Sequence, residues 1–183
     1  MGTEIFGDNE IMTKYVTAIP VPLVKYVNSL LTPTSNVLDI GCGTKAIANS
    51  LHCAKVTTLD AWKEFEPDIW CDLTTIPNIP CENNSYDVVL MLDVIEHMSK
   101  DKGFRTLKEV QRITKNLIIV LTPLWWDSNT EPMEDPNSPY YKNTFDQHLS
   151  LWEPEDFIGF ERVTSIEIFK NYFLGVWRKN EAN

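Results

Sequence analysis

Residues 37–51 of this chain read VLDIGCGTKAIANSL and hold the first residues whose types and spacing suggest chemistry. Gly41 and Gly43 stand one residue apart after an apolar run, and glycine tolerates positive φ and close approach of a ligand to the backbone. Asp39 precedes them by two residues, and a carboxylate there repels a pyrophosphate but welcomes a cationic group. Asp60 lies 19 residues after Gly41 and closes the run KVTTLD, where an acid can accept hydrogen bonds from both hydroxyls of a ribose. His97 follows the apolar run VVLMLDVI, and His148 lies in QHLSLW. Each titrates near neutrality and is a candidate general base, with a purely structural hydrogen bond at a helix start as the other reading of His97. Trp125 and Trp126 follow the run NLIIVLTP and either wall an acceptor pocket or anchor a loop, while Tyr140 and Tyr141 are candidates to line that pocket as part of a lid. Cys42, Cys53, Cys71 and Cys81 form no CxxC pair and suit no common zinc spacing, so they read as free, mostly buried thiols and no metal is expected.

Several elements must position these residues. The segment VPLVKYVNSLL places Leu23, Val24, Val27, Leu30 and Leu31 at helical spacing, and Thr32-Pro33 ends that helix. NVLDI, KVTTLD, YDVVLMLDV and NLIIVLTP read as strands, with DIWCDL as a weaker one. AIANSL reads as a short helix after the glycine turn, and SKDKGFRTLKEVQRIT as an amphipathic helix with Ser99 at its N-cap and Phe104, Leu107, Val110 and Ile113 on one stripe. Residues 124–151 form a long loop, which in a small domain is usually functional. EPEDFIGF reads as a short helix, and RVTSIEIF and YFLGVWRK as a closing antiparallel pair. Alternating strands and helices imply an α/β, Rossmann-like architecture: a seven-stranded, mostly parallel sheet with one antiparallel strand and helices on both faces. The expected organisation is a helical cap over residues 1–35 and the main domain over residues 36–183, together one globular unit.

A net charge of −10 and thin basic clusters disfavour DNA or RNA as a partner. The start MGTEIFGDNE lacks the basic and apolar parts of a signal peptide, and Phe6 breaks the myristoylation pattern. VVLMLDVI is too short to span a bilayer and contains Asp93. A cytoplasmic protein without membrane partners is the expectation.

LDIGCGT resembles the first motif of class I S-adenosylmethionine-dependent methyltransferases, and VTTLD the second. CDLTTIPNIPCENNSYDVVLMLDVIEHM and LKEVQRITKNLIIVLTP resemble the stretches that follow, most closely in the type 11 branch. The resemblance implies S-adenosylmethionine as cofactor. It places Asp39 at the methionine moiety, Gly41 and Gly43 along the cofactor, Asp60 on the ribose, and Ala61 and Trp62 against the adenine. Asp72 and Leu73 would lie at the adenine edge, and Leu92 and Asp93 at the methionine end. Lys45 departs from the pattern by standing where the family has a third glycine, and reads as a solvated lysine on the helix surface or as a partner for a carboxylate. LDVIEH stands where base-amino methyltransferases carry a proline-proline-aromatic motif, which with the acidic charge favours methyl transfer to O or N of a small molecule. Two other readings stay open: a non-catalytic partner subunit that keeps the cofactor fold, and an NAD-type oxidoreductase, because Gly41, Gly43 and Ala46 also satisfy a dinucleotide pattern.

Overall fold

Seven strands pair into one sheet in a computed structural model of the chain, which describes residues 21–76, 78–126, 132–166 and 170–179. The strands are β1 (Asn36–Ile40), β2 (Lys55–Asp60), β3 (Ile69–Trp70), β4 (Tyr86–Leu92), β5 (Thr114–Pro123), β6 (Phe160–Arg162) and β7 (Tyr172–Arg178). Their order across the sheet is β3-β2-β1-β4-β5-β7-β6. β7 pairs antiparallel with both β5 and β6 and so runs against the other six. The fold is the expected α/β architecture.

The central strands are apolar on both faces because both faces are covered. Leu38, Ile40, Val89, Met91, Ile118 and Val120 enter one cluster, together with Leu107, Val110 and Ile113 of helix α2 (Lys100–Ile113). The alternating residues Val37, Val88, Leu90, Ile119 and Leu121 enter the other, with Leu23 and Val27 of helix α1 (Val21–Leu30). This period-two division is what fixes register, since a slip of one residue would exchange the faces.

Several expected elements are smaller than their sequence pattern suggested. AIANSL makes only a 3-10 turn, Ala48–Ser50, and EPEDFIGF only Pro154–Asp156. Each segment is too short to recover the cost of helix nucleation. The second turn is held by a reciprocal capping box between Glu153 and Asp156. β6 spans Phe160–Arg162 rather than the run RVTSIEIF, of which residues 167–169 lie outside the described part. Ser99 flanks α2 in extended backbone, but its side chain makes no capping bond. Phe104 is not on the buried stripe: it is partly exposed and meets the edge of Trp152, while Gly103 and Thr106 take the buried positions. Of the cysteines only Cys42 is buried, and all four are free thiols. Of the segment expected as a helical cap, residues 1–20 lie outside the described part.

The order β2-β1-β4 places the reversal of strand order between β1 and β4. In open α/β sheets the ligand crevice forms there, outside the carboxyl ends of the strands. Asp39, Asp60 and Asp93 all stand at these ends.

Candidate active site

β1 delivers the chain into a turn whose backbone requires left-handed residues: φ is 68° at Gly41 and 49° at Gly43. A Cβ at Gly41 would collide with the Val94 side chain, and one at Gly43 would lie 3.0 Å from the Tyr140 hydroxyl. The amides of Gly41 and Cys42 both point at the Leu59 carbonyl, which ties the turn to β2. Lys45 also adopts φ 62°, so it keeps the backbone shape of the glycine it replaces. It is not a lysine on a helix surface; its ammonium donates to the Glu66 carbonyl across the turn. The left-handed shape costs a residue with a Cβ about 1–2 kcal/mol. Lys45→Gly is therefore expected to raise stability by up to about 1 kcal/mol after loss of the exposed hydrogen bond, with the turn unchanged. Denaturant titration checks this, and a loss of stability would show that the Glu66 contact outweighs the backbone strain.

The two acids beside the turn are nearly dry. Asp60 is 8% exposed and accepts from the Gly43 amide at 3.0 Å and the Trp62 amide at 2.8 Å, one on each carboxylate oxygen. Burial pushes its carboxyl up, and these amides pull it back. Asp39 is 3% exposed, and burial, with a smaller contribution from Asp60, pushes its carboxyl up to about 7. The arrangement favours a cation, which would relieve both charges.

The carboxyl end of β4 forms the second half of the site. Asp93 takes φ 55° and keeps a solvent-accessible face. Desolvation by the surrounding protein, and then Asp146, nevertheless push its carboxyl up. Glu96, 2% exposed, accepts from the Thr122 hydroxyl of β5 at 3.0 Å. Its carboxyl stands well above the usual range because of burial first and Asp93 next. The Glu96 carbonyl accepts from the amides of Leu149 at 2.8 Å and Ser150 at 3.1 Å, and so docks the long loop. His97 pairs through Nδ1 with the Gln147 carbonyl at 3.1 Å, and the His148 ring stands edge-on to it at 4.9 Å. Burial lowers the His97 pKa, opposed by the Gln147 and Asp93 carbonyls. Two histidines 51 residues apart in the chain thus meet.

Other predicted residues take plainer positions. Trp62 meets Phe145 edge-on, and the Ala61 carbonyl accepts from the Trp70 indole. Asp72 caps its own turn through the Thr74 amide and hydroxyl, with Leu73 packed on the core. Leu92 is half-buried on the β4 face shared with α1. Trp125 is 38% exposed and stands edge-on to Tyr172 at 4.8 Å, and Trp126 is 52% exposed. Tyr141 stacks under the Lys142 ammonium. Tyr140 lies over the glycine turn, with its ring on Phe65 and its hydroxyl raised to about 12 by burial and by Asp146, Asp60 and Asp93. Sequence reasoning missed Glu96, Phe145 and Asp146; the acid-histidine pair directly after an apolar strand was the available signal.

Residues 38–117 match the family described as Methyltransferase domain. Among solved structures, a candidate methyltransferase from Bacillus halodurans C-125 is 14% identical with a TM-score of 0.56, covering 79% of this chain and 70% of that one. A SAM-dependent methyltransferase from Aquifex aeolicus is 15% identical with a TM-score of 0.51, covering 85% and 88%. A protein from Pyrococcus horikoshii OT3 is 14% identical with a TM-score of 0.54, covering 87% of each chain. The chain spans about half the length of several other matched structures, from 45% to 49%. None of the curated proteins matches it. The match over residues 38–117 and the shared fold liken this chain to methyltransferase domains, and that likeness makes S-adenosylmethionine the group whose fit to the site is in question.

The residues present fit that cofactor. The cradle at Gly43 would be filled by a Cβ, and Asp39 and Asp60 supply the acids that a sulfonium, an ammonium group and a ribose require. No α-helix follows the turn, so the helix N-terminus that a dinucleotide pyrophosphate needs is missing. Binding of the cationic cofactor is expected to expel a proton from Asp39. Affinity should be full above about pH 7 and should fall by up to about tenfold per unit below it, because the free protein then holds the proton. Calorimetry in buffers of different ionisation enthalpy measures that proton; no proton release near pH 7 would remove Asp39 from contact with the charge.

Proposed function

We propose that this protein transfers the methyl group of S-adenosylmethionine to O or N of a small-molecule acceptor, a metabolite or sugar-like compound. The observation that carries the reading is the acid-flanked turn, with Asp39 and Asp60 packed against two left-handed glycines. The cofactor supplies an electrophilic methyl on a positively charged sulfur. The chain's own residues hold and align it, which is where most of the acceleration of such an in-line displacement arises. Tyr140, whose hydroxyl stands beside Gly43, would have to yield for a cofactor to reach the backbone of the turn there. The acceptor comes in at the carboxyl ends of β4 and β5, beside the His97–His148 pair, where a ring of lowered pKa is neutral at pH 7 and can take a proton. Exposed Trp126 and Leu149 give that end an apolar border. The net charge of −10 disfavours a polyphosphate backbone, which supports an acceptor that is not a nucleic acid.

Among the described residues, no helix is long and apolar enough to cross a membrane. Four free thiols accord with a reducing, cytoplasmic setting, which belongs to the same proposal.

A metabolite screen with radiolabelled methyl donor tests the reading; label should pass to a small organic product and not to RNA or DNA. A non-catalytic partner subunit is the second reading, favoured by Lys45 and by Tyr140 over the turn. Calorimetry separates them, since absent S-adenosylhomocysteine binding would leave only the second.

A further inference from the structure

We propose that Glu96, His97 and His148 bind one divalent transition-metal ion. One donor atom from each of the three lies within 4.8 Å of the others. Ligands held at about 2.0–2.2 Å around one zinc stand roughly 3.5 Å apart, so the set closes by about an ångström of side-chain rotation. His97 and His148 are only half-buried.

The surroundings are those of a ligand set. Glu96 is held by the Thr122 hydroxyl, and its own carbonyl fixes the loop that carries His148. The Gln147 carbonyl takes the Nδ1 hydrogen of His97, which orients the ring and leaves the lone pair on Nε2. Asp93 hydrogen-bonds Glu96, and Asp146 acts on both, so three carboxyl groups converge where a cation would offset them. Two imidazoles and one carboxylate select zinc, iron, cobalt or manganese over magnesium or calcium, which prefer an all-oxygen set. Three protein ligands leave positions open for an acceptor oxygen, whose proton a Lewis acid makes easier to remove. On the ion the imidazoles serve as ligands instead of bases. This use of the ion rests on the methyl-transfer reading; its binding does not.

The test is titration of the metal-free chain with Co²⁺, followed by visible absorption, with Zn²⁺ as competitor. One equivalent with a d–d band that Zn²⁺ abolishes is expected. His97→Ala and His148→Ala should each weaken binding by at least tenfold, and His52→Ala, an exposed histidine elsewhere, should not. Thermal melts confirm that each variant folds; should His97→Ala fail, His148→Ala alone decides. No band in the wild-type chain at millimolar Co²⁺, or an unchanged band in the folded histidine variants, overturns the proposal. The titration contains neither donor nor acceptor. S-adenosylhomocysteine binding on the same samples therefore reports separately on the methyltransferase reading.

Discussion

Asp60→Ala is expected to weaken S-adenosylmethionine binding by about 10- to 150-fold, the equivalent of roughly 1.5–3 kcal/mol for hydrogen bonds to a charged group. Two losses combine. The carboxylate is the acceptor for the ribose hydroxyls in this reading, and it also holds the amides of Gly43 and Trp62 at 3.0 and 2.8 Å. Removing it lets the second glycine of the turn and the first residues after β2 drift apart, so the cofactor loses both a contact and a preformed cradle. Asp60→Asn should fall between, because one amide oxygen can still accept while the NH₂ group faces an N–H donor. Calorimetry with S-adenosylhomocysteine measures the change, and a melt shows that the sheet is intact. An unaltered Kd would take Asp60 out of the site.

Trp152→Ala is expected to cost about 3–5 kcal/mol of stability, the range for truncating a buried aromatic. Trp152 is 1% exposed at the end of the long loop. Its ring lies against Phe157, centroid to centroid 5.3 Å, and edge-on to Phe104 at 5.1 Å. The α2 backbone approaches it at Gly103, where any Cβ would collide with the ring. Its indole N–H lies 2.9 Å from the Ser150 hydroxyl and 3.2 Å from the Ile95 carbonyl. The truncation thus leaves a cavity over α2 and also releases the residues that set His148 beside His97. Urea titration should show the loss, and His148→Ala, on the same loop but outside the core, should not reproduce it. A change under about 1 kcal/mol would mean that the loop closes over the cavity at little cost.

Much of this molecule was legible before any coordinates. The apolar runs gave β1, β2, β4 and β5 because a buried parallel sheet needs strands apolar on both faces, and YFLGVWRK gave β7 as part of the closing antiparallel pair. The glycine turn was legible because positive φ has few other sequence signatures. Lys45 shows the limit of that logic, since the same left-handed backbone is carried there by a residue with a Cβ. The short crossovers were misread as helices for a related reason: composition reports preference, while a segment of a few residues is decided by its length and by where its ends are tied. Among the described residues the β3–β4 crossover has no helix either; Arg112 holds it through the Ile79 and Cys81 carbonyls.

The sequence by itself determined which runs become the central strands, the acid-flanked turn and the charge of the ligand that turn favours, because each depends on local pattern and on backbone needs of single residues. Only the tertiary structure decided that His97, His148 and Glu96 face one another, that Tyr140 rests on Gly43, and that Trp152 locks the loop to α2. Those contacts join residues about 50 to 100 positions apart. No local spacing encodes them; the side-chain packing that closes the loop over the sheet edge does.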